Sequence, residues 1–180
     1  YYAALVGVAN GTSTTEELTK LQLLMSQENL SPACRPAVGP ALERSAQIGV
    51  PVVAIELPDG RIITGKTGDL LGASAAALVN TLKVLADIPH EKPVLSPDAL
   101  SPIQTLKTRY LGSKNPRLHT DEVLIALSAT AASNEDATLA LKQLPKLAGS
   151  QVHSSVMLSS VDMRIFKKLY CDVTCEPKSI

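Results

Sequence analysis

The chain has 180 residues, 17 basic and 17 acidic, so its formal charge is zero. That length suits one domain, or one domain with an insert. Neutrality, one Phe, four Tyr and no Trp leave neither a cationic field nor a stacking platform, so nucleic acid is not an expected partner.

Residues 1–9 are apolar throughout, and their periodicity leaves helix and strand both open. The chain opens on Tyr1 and enters this apolar stretch at once, an opening expected of a piece of a longer protein. Asn10-Gly11 breaks the run. Thr14 then caps a helix with Glu17 at capping-box spacing, and Leu18, Leu21, Leu24 and Met25 line one face before Ser31-Pro32 ends it. Pro36 to Ile48 predicts a second helix, stopped by Gly49.

Next, residues 60–67 match the phosphate-loop pattern G-x-x-x-x-G-K-[ST] letter for letter. A phosphate loop needs small, flexible residues between a strand and a helix. Here Pro58-Asp59-Gly60 is turn chemistry, and Ile62-Ile63 favours extended backbone. The predicted structure is a hairpin: strand 52–57, turn 58–60, strand 61–66.

A loop at 68–72 leads to Ser74, read as the cap of a helix from Ala75 to Ala86 whose alanines permit close approach to a sheet. Pro89 and Pro93 mark a boundary. From 96 to 149 the pattern is helical, with starts at Ser96-Pro97-Asp98, Thr120-Asp121-Glu122 and Asn134-Glu135-Asp136 that place carboxylates in the first turn. Pro145 shortens the third helix and Gly149 stops it. A strand from Gln151 to Leu158, a helix from Ser160 to Leu169 and a strand from Cys171 to Thr174 follow. The expected organisation is an α/β unit of residues 1–89 and 150–180, with residues 90–149 as a helical insertion or lobe.

No apolar run has transmembrane length and no leader is expected, so a membrane is not an expected partner. Three cysteines cannot all pair internally, which points to a reducing cytoplasm. Cys171-x-x-x-Cys175 lacks further zinc ligands and no H-E-x-x-H is present, so neither a metal nor a cofactor is expected. His153 and Ser154, adjacent on a strand, point to opposite faces and form no dyad. His119-Thr120-Asp121-Glu122 reads as a helix start capped by Thr120, or as a base or ligand with Asp121 nearby. Lys107, Arg109, Lys114 and Arg117 read as a solvated face, or as an anion site beside a helix start.

The hairpin around Asp59–Gly65 is similar to the one that opens cytidine deaminases. By position, Thr67 and Asp69 fall where those enzymes carry a ribose-binding Asn and Glu. Residues 70–86 contain no His, Cys, Asp or Glu, so the zinc ligand and proton shuttle of that family are missing. This resemblance implies a cytidine deaminase-like layered sheet with helices, without the chemistry. Across GRIITGKTGDLLGAS (60–74), NPRLHTDEVLIAL (115–127) and residues 153–177, the chain resembles the C-terminal part of a bacterial domain-of-unknown-function family. Its members are long, soluble chains, some labelled ATP-dependent zinc proteases. The resemblance implies a nucleotide-fold-like upstream segment and no established reaction.

Two functions are therefore expected of this sequence. One is a non-catalytic or co-catalytic module that assembles with an N-terminal part of the same protein and self-associates. The other is an enzyme domain binding a phosphorylated small molecule or nucleotide, with Lys66, Thr67, Asp69 and Ser74 as its polar loop and Lys114, Arg117 and His119 toward the anion.

Overall fold

The structure, a computed structural model, describes residues 1–178. Its sheet has four strands in the order β2-β1-β3-β4. β1 (Val52–Glu56) and β2 (Ile62–Lys66) form an antiparallel hairpin in which Ile62 and Ile63 face Glu56 and Ile55. The turn closes through Gly60 N–H to Leu57 O (2.9 Å) and Leu57 N–H to Arg61 O (2.8 Å). Gly60 sits at φ +85, the left-handed region a side chain would resist. The phosphate-loop octet is thus turn and strand. β3 (Gln151–Ser154) runs antiparallel on the other side of β1, and β4 (Asp172–Cys175) pairs parallel with β3.

Three helices, α1 (Tyr2–Ala9), α2 (Thr15–Gln27) and α3 (Val38–Ile48), precede the hairpin. α4 (Ala73–Leu85) follows it. Then come α5 (Pro97–Thr105), a π turn at Leu106–Tyr110, α6 (Thr120–Ala131) and α7 (Glu135–Leu141). α8 (Ser160–Lys168) joins β3 to β4. Among the described residues, no helix is long and apolar enough to cross a membrane.

Several boundaries differ from the sequence expectation. Of residues 1–9, left open by periodicity, Tyr2–Ala9 are helical. α2 ends at Gln27, and Ser31-Pro32 opens a short 3-10 turn rather than closing the helix. α3 begins at Val38 rather than Pro36. The strand expected to reach Leu158 stops at Ser154, because serine side chains take over the backbone donors: Val156 N–H donates to Ser154 Oγ (3.3 Å) and Val52 N–H to Ser155 Oγ (2.9 Å). Pro145 lies in a 3-10 turn (Leu144–Leu147) beyond the end of α7, and Cys171 precedes β4.

The strand period assigns the sheet faces. Val53, Ile55 and Val152 point into the main core with Leu78 and Leu82 of α4, and Leu118, Leu127 and Leu147 of the helical stretch join the same cluster. On the opposite face Ala54 meets Ala37 and Ala41 beside α3, a contact of small side chains. His153 also points that way, fully buried, its ring 4.7 Å from that of Tyr2 and its Nδ1 2.8 Å from the Thr174 hydroxyl. Burial, with Arg35 acting in the same direction, pushes its pKa down to about 4, so the imidazole there is neutral.

α4 lies close against β2. A Cβ at Gly65 would collide with the backbone of Ala76 and Ala77. Gly65→Ala should therefore cost at least the overpacking range of about 1–3 kcal/mol. At about 2–4 °C per kcal/mol for a chain of this size, the melting temperature should fall by about 2–12 °C. Gly68→Ala, where a Cβ meets nothing within 4 Å and φ is ordinary, should stay within about 0.5 kcal/mol of wild type. Thermal denaturation of both variants checks this; equal stabilities would contradict the close-approach account.

Candidate functional site

Three helix starts, those of α4, α6 and α8, border a cavity of about 430 Å³ on the α4 side of the sheet. Two loops that bring the chain to these starts are pinned together. Gly72 N–H donates to Leu118 O (3.1 Å), and Leu118 N–H to Leu70 O (2.9 Å). The Arg117 guanidinium donates through Nε to Gly68 O at 2.6 Å. Behind the second loop, the π turn carries Lys107 inward. Its buried ammonium donates to Arg117 O (2.6 Å) and to Glu122 Oε2 (2.7 Å). The same Glu122 oxygen accepts His119 N–H at 2.8 Å, so one ion pair fixes both the basic loop and the entry to α6.

Asp162, in the first turn of α8, is the polar centre of the site. It is buried, yet its carboxylate accepts from Thr120 N–H (3.0 Å), the Thr120 hydroxyl (2.9 Å) and the Ser159 hydroxyl (2.8 Å), and pairs with His119 Nδ1 at 3.1 Å. Burial pulls the Asp162 pKa upward, but these hydrogen bonds together outweigh it and hold the carboxyl below its usual range. The hydrogen bond to Asp162 raises the pKa of His119 against a smaller opposing effect of burial. His119 thus presents Nδ1 to the carboxylate, leaving Nε2 for the cavity its ring lines.

The start of α4 is built differently. Its N-cap is Gly72, which offers no capping side chain, and its first turn holds no acid. α2, α5, α6, α7 and α8 carry acids in their first turns, whereas α1 and α3, like α4, carry none; α4 is the one of these three whose start borders the cavity. The first amides of a helix have no intrahelical acceptor. Ser74, also in this turn, is only 5% exposed and lines the cavity, and among the described residues its hydroxyl has no hydrogen-bond partner.

Of the residues singled out from sequence, Thr67, Ser74, Lys114, Arg117 and His119 all line this cavity. Lys66 and Asp69 do not, and both are exposed. Ser74 lies inside the helix it was expected to cap, and Thr120 is the first residue of α6 rather than its cap, His119 holding that place. The partner of His119 is Asp162 and not Asp121, whose carboxylate accepts Glu122 N–H instead. Asp162 and Ser159 escaped the sequence reading. Their Ser-x-x-Asp spacing is a capping pattern that marks a helix start, and Asp162 N–H indeed donates to Ser159 Oγ at 3.1 Å. Nothing in that spacing reveals a His partner 43 positions away.

Fold and site together define a mixed α/β domain with a polar cavity at converging helix starts. The chain belongs to the family described as domain of unknown function DUF1846, C-terminal, which matches residues 33–179. It is 51% identical over 178 residues to UPF0371 protein cu0538 of Corynebacterium urealyticum, covering 99% of this chain and 36% of that protein. It is 49% identical over 178 residues to UPF0371 protein CE2832 of Corynebacterium efficiens, with the same coverage of 99% and 36%. Against UPF0371 protein SUB1165 of Streptococcus uberis the identity is 42% over 177 residues, covering 98% of this chain and 36% of the relative. The chain therefore spans about a third of the length of these relatives.

Asp162→Asn should lower the His119 pKa, because it removes the carboxylate charge and leaves at most a neutral amide oxygen to accept from Nδ1. Histidine NMR titration reads this directly, and an unchanged midpoint would dissolve the pair. The sign for stability follows. A folded-state pKa above the unfolded value near 6.5 contributes stability that is complete below about pH 6.5 and fades as pH rises through the folded value. That pH-dependent increment should be absent from the variant.

Proposed function

We propose that this domain is the ligand-binding C-terminal module of a longer protein, and that the cavity between α4, α6 and α8 receives a small anionic molecule. The observation that carries the reading is Ser74: buried, without a partner among the described residues, and set in an uncapped, acid-free helix start facing the cavity. Helix starts of this kind favour anions through their free amides and the helix dipole. Arg117 and Lys114 add cations at the rim, and neither pairs with a carboxylate among the described residues.

Two coarser features fit the same reading. The hairpin, the helix laid over it and the strand order support a deaminase-like layering in which the start of α4 serves a ligand without zinc chemistry. Residues 90–149 are read as a helical subdomain over the α/β unit of 1–89 and 150–180, supplying Lys114, Arg117 and His119 to the cavity.

Differential scanning fluorimetry of the full-length protein against inorganic phosphate and small carboxylates tests the reading. An anion at a hundred times its dissociation constant should add about 2.7 kcal/mol. Arg117→Ala and Ser74→Ala should shrink that gain, while Lys66→Ala, outside the cavity, should leave it intact. No shift with any anion, or a shift that only Lys66→Ala abolishes, would refute the assignment.

A second reading concerns assembly, and a separate observation favours it. α2 buries none of its residues, and Leu23 and Leu24 are 60% and 57% exposed. Both lie ahead of residue 33, where the family match begins. Met25 of the same helix lines a largely apolar groove of about 640 Å³ that also runs past Tyr2, Val6 and Val173. We assign this face to the portion of the longer protein that the chain does not span. Hydrogen exchange of the α2 amides should slow by at least tenfold in the full-length protein relative to the isolated chain. Equal exchange in the two, or slowing that tracks dimerisation of the isolated chain, would reject that occupant.

A further inference from the structure

Which anion the cavity suits follows from where its donors stand, what charge they leave uncompensated and what lines the remaining space. Resting on the anion-binding reading above, we infer that the ligand is a phosphate monoester with a compact, hydroxylated body, such as a sugar phosphate, and not a nucleotide or a simple carboxylate.

The donors come from three elements. The α4 start offers its first amides and the Ser74 hydroxyl, the loop before α6 brings the Arg117 guanidinium, and the α6 start brings His119. A carboxylate presents two oxygens in one plane, which one helix start or one guanidinium satisfies. A phosphate monoester presents three terminal oxygens on a tetrahedral centre, one for each of these elements.

The charges agree. Protonated His119 and Asp162 form a neutral pair at 3.1 Å, and Lys107 and Glu122 form another at 2.7 Å. That leaves Arg117 and Lys114, two positive charges at the cavity, beside a helix start with no acid of its own. A monoester near its full ionisation carries about two negative charges.

The rest of the cavity describes the organic body. At about 430 Å³ the space is larger than a phosphate group alone requires. Val53, Val156, Met157 and Leu158 supply an apolar wall, and Thr67 and Asn115 supply hydroxyl and amide groups. No Phe, Tyr or Trp is among the lining residues, so a nucleobase would find no aromatic face to stack upon.

Isothermal titration of the full-length protein at pH 7 with ribose 5-phosphate, adenosine 5′-monophosphate, inorganic phosphate and acetate separates the outcomes. Ribose 5-phosphate is expected to bind at least tenfold more tightly than acetate or inorganic phosphate, and the adenosine monophosphate no more tightly than ribose 5-phosphate. Ser74→Ala and Arg117→Ala should each weaken ribose 5-phosphate about tenfold, a loss of about 1.4 kcal/mol, with unligated melting temperatures confirming folded variants. Acetate binding as well as ribose 5-phosphate overturns the phosphate-monoester class while leaving the anion reading in place. Tighter binding of adenosine monophosphate by tenfold overturns the exclusion of a base. Absence of binding by all four anions removes both this inference and the reading beneath it.

Discussion

The height of α4 above β2 sets everything at the site. Gly65 carries no Cβ, and the backbone of Ala76 and Ala77 occupies the space one would need. Ala73, Ala75 and Ala77 are all buried along the same helix, so small side chains line much of its inner side. Asn80 secures the contact by donating from Nδ2 to Thr64 O at 2.9 Å, satisfying a carbonyl on the edge strand. With the helix held this low, its start reaches Leu118, and the Gly72 amide closes the loop there. A helix riding higher would free that start from the loop that carries Arg117 and His119.

The polar side of the cavity rests on a different economy of charge. A buried carboxylate is costly unless hydrogen bonds replace its hydration. Asp162 has such replacement from His119, from both donors of Thr120 and from Ser159. One carboxylate thereby serves the starts of α6 and α8 together. Lys107 and Glu122 settle the next layer outward, tying the π turn to the basic loop. Two helix starts are thus satisfied from inside the protein, and the third, at α4, is not.

Much of this was legible where local chemistry decides structure. Adjacent β-branched residues and a Pro-Asp-Gly turn declare a hairpin whatever motif they happen to spell. The octet's glycines are required, but for other causes: Gly60 for its positive φ, Gly65 for the approach of a helix. First-turn acids announced most helix starts. The candidate residues divided by strand periodicity. Gly65 faces α4, so Lys66 must face away, whereas Thr67, past the end of the strand, turns back to the cavity. What stayed illegible is long-range. His119 found Asp162 rather than its neighbour Asp121, and no local spacing encodes that choice. The end of β3 was obscured by Ser154 and Ser155, whose side chains compete for backbone donors that a strand pattern assigns to a ladder.

β3 is the wall shared by the two unfinished surfaces, and its alternation makes them chemically unlike. Ser154 looks into the cavity, where cations, hydroxyls and a helix start are gathered. His153, one residue earlier, looks the other way and is wedged against Tyr2 of α1, fully buried and kept neutral by that burial. The charges on the second face are already engaged: Arg35 pairs with Asp172 at 2.6 Å, and Glu176 lies 3.5 Å from His153 Nε2. A solvated anion is served by the first, where donors stand ready to replace its water. An apolar protein surface gains by covering the second, where the groove past Tyr2, Val6 and Met25 remains open to solvent. The two roles proposed for this domain thus meet at a single strand whose successive side chains point to a cavity with free donors on one side and toward a largely apolar groove on the other.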